Sequence, residues 1–305
     1  MDEGDTQMSR FRALVASGSV LLTLALGGQA QAASNPAGIA FNATTNVSKY
    51  GKSTGVLITG RCNRYDSAFQ SARKNGAEVL AYLDAAERPD NTVCSLDKAF
   101  YMGDYGKVPL WPYPSYGTRV NYANHHMTDL RKGSAWSNWV VSYVEKLMRE
   151  NKVDGVFLDV IGGRVWTSLS GWNNWPQSQK DAWTDGAVDL VRRLDAKRRS
   201  IRPTFLIINN NVWDRGSSKD LRGYAGEKYV DGVMLEHPPV NSAFHINYAK
   251  RAFGNLGQRR VIVVAKSSTD AKTWASRSGV THVSPQTSYK YPPTPVVSFH
   301  YLGDR

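Results

Sequence analysis

Apolar and polar positions along the chain follow two rhythms. Short apolar runs, each closed by a turn or polar residue, alternate with longer stretches whose apolar residues recur three and four apart. The first rhythm belongs to strands buried on both faces, the second to amphipathic helices. Strands are predicted at 55–59, 78–83, 153–159, 203–208, 230–235 and 260–265. Helix 134–150 carries Trp136, Trp139, Val140, Tyr143 and Leu147 on one face. Helix 177–200 does the same with Trp183, Ala187, Leu190, Val191 and Leu194. Further helices are expected over 65–75, 242–256 and 270–278, the first stopped by Gly76 and the third by Gly279, with 217–227 weakly helical. A short strand is expected at 108–111, although Pro109 weakens it. The last strand is either 280–283 or 296–300, the other being its hairpin partner. Residues 33–54, rich in Ser, Asn, Thr and Gly, read as an irregular lead-in.

Strand after strand is followed by a helix or a long loop, and that alternation implies a parallel sheet. With about eight strands and no Gly-x-Gly-x-x-Gly, the α/β pattern fits a single-domain (β/α)8 TIM barrel over 55–305. A closing helix after the last strand is missing. The long connections at 85–106, 112–132 and 161–175 follow strands, which puts them on the C-terminal face, where barrel active sites lie.

One pattern occurs twice. Val153-Asp154-Gly155-Val156-Phe157-Leu158-Asp159 has a near copy in Val230-Asp231-Gly232-Val233-Met234-Leu235-Glu236. Each is an Asp-Gly turn, four apolar residues and a carboxylate. A carboxylate ending a buried strand suits a pocket better than a core. Asp154 and Asp231 read as turn residues at the opposite face. Lining up the strand ends gathers Thr59, Asp84, Trp111, Asp159, Asn209, Glu236 and Lys266 at one mouth. Asp159 and Glu236, on strands four and six, form a carboxylate pair with a cleft between them. Glycosidic cleavage needs such a pair: one acid toward the leaving oxygen, one nucleophile or base for water. The apolar strand before Glu236 favours it as the acid. Asp159, beside Gly162 and Gly163, is assigned as nucleophile or base. Asp84, Asn209 and Lys266 are candidate substrate contacts.

Aromatic content points the same way. The chain has 9 Trp and 15 Tyr, and Trp111, Trp166, Trp172, Trp175 and Trp213 fall at strand ends or in loops of the predicted face, where flat rings suit sugar faces. The adjacent His125 and His126 point apart, so no metal site is assigned, and no cofactor is expected.

Residues 8–32 read as a signal peptide: Arg10 and Arg12, an apolar stretch, then Ala30-Gln31-Ala32 as a small-x-small cleavage site. The domain reading is therefore 1–32 signal peptide, 33–54 lead-in and 55–305 catalytic barrel. The product is expected to be secreted, extracellular or periplasmic, without a membrane anchor after cleavage, and monomeric. Cleavage after residue 32 would leave 36 Lys and Arg against 23 Asp and Glu, a balance of +13. That charge suits anionic envelope polymers or general stickiness. No basic run with interleaved aromatics suggests nucleic acid. Cys62 and Cys94 are expected to form a disulfide in an oxidising compartment.

These motifs bring a family into view. Residues 153–159 resemble the strand-four motif of the endo-alpha-1,4-polygalactosaminidase-like barrel glycoside hydrolases of family 114. The resemblance covers most of 55–270. In that family the Asp ending the motif and the Glu ending strand six are the catalytic candidates, here Asp159 and Glu236. Residues 78–83 are similar to the family's strand two, which usually runs on into Gly-Glu; this chain has Asp84-Ala-Ala-Glu87. The resemblance implies a (β/α)8 barrel hydrolysing an amino-sugar-containing or other exopolysaccharide without a cofactor. Three functions compete: a secreted glycoside hydrolase, a non-catalytic carbohydrate-binding barrel that keeps the aromatic loops but needs no converging carboxylates, and another hydrolase or lyase on the same scaffold.

Overall fold

The computed structural model describes residues 35–41, 55–89, 125–165, 172–213, 224–254, 260–285 and 296–297. A curled, parallel sheet organises them. Its strands are β2 (Val56–Gly60), β3 (Glu78–Asp84), β6 (Gly155–Asp159), β7 (Leu206–Asn210), β8 (Gly232–Glu236), β9 (Arg260–Ala265) and β10 (His282–Pro285). Neighbours pair in the order β10-β9-β8-β7-β6-β3-β2. Strand β1 (Asn35–Phe41) pairs in parallel with β2, from Ala37↔Val56 to Ala40↔Thr59, and with β10 at Asn35↔His282 and Pro36↔Val283. A short β11 (Val296–Val297) runs antiparallel to β1, and β4 (Glu87–Pro89) with β5 (His125–Met127) forms a separate two-stranded ladder.

Three expectations change here. The stretch expected to be an irregular lead-in contains a strand, β1. The last parallel strand is His282–Pro285, one of the two alternatives, and residues 296–297 pair with β1 instead. The slot expected for a strand at 108–111 is occupied: β3 and β6 pair directly from Leu80↔Gly155 to Asp84↔Asp159. Residues 108–111 themselves lie outside the described part, as do the predicted signal peptide, Trp111, Trp166, Cys94 and the side chain of Cys62.

Side chains alternate across the sheet with period two. Val56, Ile58, Leu80, Phe157, Leu206, Ile208, Met234, Ile262 and Val264 form one buried cluster on the concave face. Their sequence neighbours Leu57, Val79, Val156, Leu158, Ile207, Val233 and Val261 face the helices on the convex side. Burial on both faces explains why the strand runs read as continuously apolar.

The helices are α1 (Ser67–Lys74), α2 (Ala135–Glu150), α3 (Gln177–Ile201), α4 (Tyr224–Glu227), α5 (Ala243–Gly254) and α6 (Ser268–Ala275). Short polar side chains cap three of them. Asp66 accepts from the Ala68 amide at 3.0 Å, Ser134 from Ser137 at 3.1 Å and Ser267 from Asp270 at 3.0 Å. Along α2, Trp136 stacks on Trp139 and Trp139 on Tyr143, with centroids 5.0 and 5.3 Å apart. The Trp136 indole also donates to the Ala85 carbonyl at 2.8 Å, tying α2 to the end of β3.

The repeated Asp-Gly turns have a structural job. Asp154 accepts from the Val79 amide at 3.0 Å and Asp231 from the Ile207 amide at 2.9 Å, each clamping the strand beside its own. Arg73 and Arg202 neutralise Asp154, and Arg198 neutralises Asp231. The glycine that follows must lack a Cβ: at Gly155 one would sit 2.4 Å from the Leu206 carbonyl oxygen, and at Gly232, 2.1 Å from that of Arg260. Each copy thus clamps a neighbouring strand at one end and presents a carboxylate at the other.

Candidate active site

Three parallel strands end side by side in a carboxylate or an amide. Asp159 ends β6, Asn210 ends β7 and Glu236 ends β8. Each lies two residues after a concave-face member, Phe157, Ile208 and Met234. The alternation therefore turns all three toward the concave side, at the rim above the apolar cluster. The chain bends sharply behind each. Val160, Asn211 and His237 have φ of 56°, 94° and 48°. For Val160, a β-branched residue, the left-handed region costs on the order of 1–3 kcal/mol.

Asn210 joins the two carboxylates. Its Nδ2 donates to Asp159 Oδ1 at 2.9 Å and to Glu236 Oε2 at 3.1 Å. Those two oxygens are therefore at most 6.0 Å apart, the two bonds laid end to end. Asp159 Oδ1 also accepts from the Val160 amide at 2.8 Å, and Oδ2 from the Tyr82 hydroxyl at 2.5 Å. The same hydroxyl lies 2.7 Å from Asp84 Oδ1. Asp84 pairs with Asp159 across the β3–β6 ladder. A chain of polar groups thus runs Glu236–Asn210–Asp159–Tyr82–Asp84 along the rim.

The electrostatics bear on Glu236. Glu236 presents surface to solvent, yet dense surroundings strip much of its hydration. That desolvation, reinforced by the charge of Asp159, raises its pKa above the ordinary glutamate value; the Asn210 bond pulls it partly back. Asp159 accepts from three donors on its two oxygens among the described residues. His237, next to Glu236, has its pKa lowered by burial and by the charge of Lys266, so it is neutral at physiological pH. Lys266, exposed just past the end of β9, stands at this same rim.

Loops behind the rim are stitched together by the residues flanking Asn210. Asn209 donates to the Ile161 and Asn211 carbonyls at 3.1 and 2.7 Å, and Asn211 donates to the Arg164 carbonyl at 3.0 Å. Thr184 on α3 holds the Gly163 carbonyl at 2.9 Å. This fastens the loop after Asp159 to the end of β7.

The structure gathers Asp159, Glu236 and Asp84 at one rim and places Asn209 and Trp213 away from it. Asn209 is fully buried and faces the helix layer, so it braces a loop instead of meeting substrate. Trp213 is fully buried, its indole donating to Asn209 Oδ1 at 3.3 Å. Trp172 and Trp175 are likewise core, packed together and against Trp183 at centroid distances of 5.2 and 6.2 Å. Sequence reasoning passed over Asn210 and Tyr82. Their signal was parity with Ile208 and Leu80, both concave-face residues. Among the described residues, no group of three or more His, Cys, Asp or Glu is placed to hold a metal ion, and no helix is long and apolar enough to cross a membrane.

No family model matches the chain. No curated protein matches it either. Solved structures do. The glycoside hydrolase domain of PelA from Pseudomonas aeruginosa superposes with a TM-score of 0.54 at 11% identity, over 82% of this chain and 94% of that one. The fold is one seen in solved glycoside hydrolase domains. A cycloisomaltooligosaccharide glucanotransferase from Paenibacillus sp. matches with a TM-score of 0.50 at 10% identity, over 76% of this chain and 38% of that one. An uncharacterized Listeria monocytogenes protein in complex with glucose, magnesium and calcium matches at 0.50 and 13% identity, over 85% of this chain and 29% of that one. At these identities the likeness concerns fold alone.

Proposed function

We propose that this protein is an exported glycoside hydrolase that cleaves a polysaccharide with retention of anomeric configuration, on a full (β/α)8 barrel closed through β1. The observation that carries the reading is the single amide of Asn210 bonded to both carboxylates. Retaining glycosidases hold their carboxyl groups about 5–5.5 Å apart, inverting ones about 6.5–9.5 Å. The oxygen gap bounded by Asn210, at most 6.0 Å, lies below the inverting range. It also argues against a merely carbohydrate-binding barrel, which has no need for two carboxylates held so close. The Asn35↔His282 and Pro36↔Val283 registers support barrel closure, and the 8–32 sequence pattern supports export.

The steps follow from the environments. Glu236, its pKa raised, serves as the proton donor and gives its proton to the glycosidic oxygen as the bond to the leaving sugar breaks. Asp159 attacks the anomeric carbon. Oδ1 already accepts two hydrogen bonds and Oδ2 one, so Oδ2 keeps the lone pair for attack. Glu236, now deprotonated, takes a proton from water, which releases the sugar from Asp159 and restores both groups. Lys266 at the rim is a proposed substrate contact, as are Trp111 and Trp166, which the sequence alone places at a strand end and in a face loop. Amino-sugar polymers are one candidate class, as the family 114 resemblance suggests. The test is Asp159→Asn and Glu236→Gln, each assayed for reducing-sugar release on a panel of bacterial and fungal polysaccharides. Both variants should fold and lose cleavage; activity surviving in both would sink the reading.

A further inference from the structure

The Tyr82 hydroxyl lies within hydrogen-bond distance of two carboxylates, 2.5 Å from Asp159 Oδ2 and 2.7 Å from Asp84 Oδ1. It has one proton and can give it to one of them at a time. The acceptor at the shorter distance is the oxygen assigned above to attack. A donor fixed on that oxygen would hold back the nucleophile, because its bond is strongest to the anion and weakens as the oxygen becomes an ester.

We propose that Tyr82 is a shared donor and Asp84 its second acceptor. While Asp159 is anionic, the hydroxyl points to Asp159. As Asp159 loses its charge to the anomeric carbon, the hydroxyl rotates about its C–O bond to Asp84. When water frees Asp159, it rotates back. No bond to hydrogen is broken, and Tyr82 keeps its proton throughout. Asp84, expected from the sequence to contact a sugar, is then a positioning residue acting through Tyr82. The geometry suits it: β3 carries both Tyr82 and Asp84 on one face, and the Asp84↔Asp159 register sets the two carboxylates side by side with the hydroxyl between them. The inference rests on the reading of Asp159 as nucleophile, but its first test needs no substrate.

That test uses the Asp84 carboxyl 13C resonance of the full chain. Asp159→Asn mimics the uncharged ester. It should release the hydroxyl to Asp84 and move the Asp84 resonance. In the Tyr82→Phe background the same substitution should leave that resonance nearly in place. Equal movement with and without the hydroxyl overturns the proposal. The kinetic arm uses whichever panel polysaccharide the wild type cleaves. Asp84→Asn should lower kcat/KM about 10- to 100-fold, the worth of one hydrogen bond to a charged group, and Asp84→Glu should restore part of it. Added to Tyr82→Phe, Asp84→Asn should cost nothing further; losses that multiply would overturn the shared donor. Failure of the glycosidase reading would show separately, as glycan cleavage surviving in both Asp159→Asn and Glu236→Gln.

Discussion

Replacing Asn210 by Ala tests the bridge on which the site is built. The substitution removes two hydrogen bonds, 2.9 Å to Asp159 and 3.1 Å to Glu236. A hydrogen bond to a charged group is worth about 1.5–3 kcal/mol, and at a solvent-facing rim water recovers part of it, so the lower end applies. Only the bond to Glu236 strengthens as its proton leaves, while the bond to Asp159 fades with the charge, so about 1.5 kcal/mol is at stake, or about 10-fold in kcat/KM at 1.36 kcal/mol per decade. The direction on the pH axis is also set. Asn210 lowers the Glu236 pKa, while burial and Asp159 raise it. Losing the amide lets it rise further. Because Glu236 acts in its protonated form, the alkaline limb of the pH–rate profile should move to higher pH. Reducing-sugar release followed from pH 4 to 10 measures both effects, with thermal unfolding as the control for folding. A kcat/KM within about threefold of wild type, together with an unmoved alkaline limb, would refute the bridge as a catalytic device.

Three further outcomes concern stability and role. Glu236→Gln should raise the unfolding temperature near neutral pH: a carboxyl whose native pKa is raised binds its proton more tightly when folded, so it costs stability above the unfolded value, and the gain should vanish in acid below that value. His282 is buried beside Arg260, and its pKa is lowered to about 3. The unfolded chain then takes up a proton below about pH 6.5 that the native state refuses, at about 1.4 kcal/mol per pH unit. His282→Gln should reduce the stability lost between pH 7 and 5 by up to about 2 kcal/mol in urea titrations; an unchanged loss would contradict the burial. Trp213→Ala should destabilise by about 3–5 kcal/mol as a core truncation, without a selective rise in KM.

Much of the fold was legible because helices and buried strands write their periods into the chain. The runs at 153–159, 230–235 and 260–265 became β6, β8 and β9 within two residues. What the pattern hid was the sheet's first member. Asn35-Pro36-Ala37-Gly38 looks like a turn-rich leader, yet pairing with β2 and β10 on both sides overrides that local preference. At the site, the duplicated motif delivered Asp159 and Glu236, since a carboxylate ending an apolar run stands out. Ending the apolar run at Ile208 points to Asn209, but in a strand one residue reverses the face, and Asn210 is the one at the rim. Counting parity from Ile208 would have selected Asn210. Tyr82 was hidden for another reason: inside an apolar run, a Tyr reads as packing until the hydroxyl's partners are seen. The loop tryptophans 172, 175 and 213 were misread because an indole closing a loop onto the core has the same sequence context as one facing a sugar.

Asp159 and Glu236, bridged by one amide that keeps an oxygen of each within 6.0 Å of the other, are proposed to cleave glycosides through an enzyme-bound sugar. The anomeric configuration of the first product decides the matter. Proton NMR recorded during the first minutes of cleavage, before mutarotation, reads that configuration. A two-step reaction through Asp159 gives the same anomer as the bond that was cut. The opposite anomer would mean that water attacks directly, and Asp159 would not be the nucleophile.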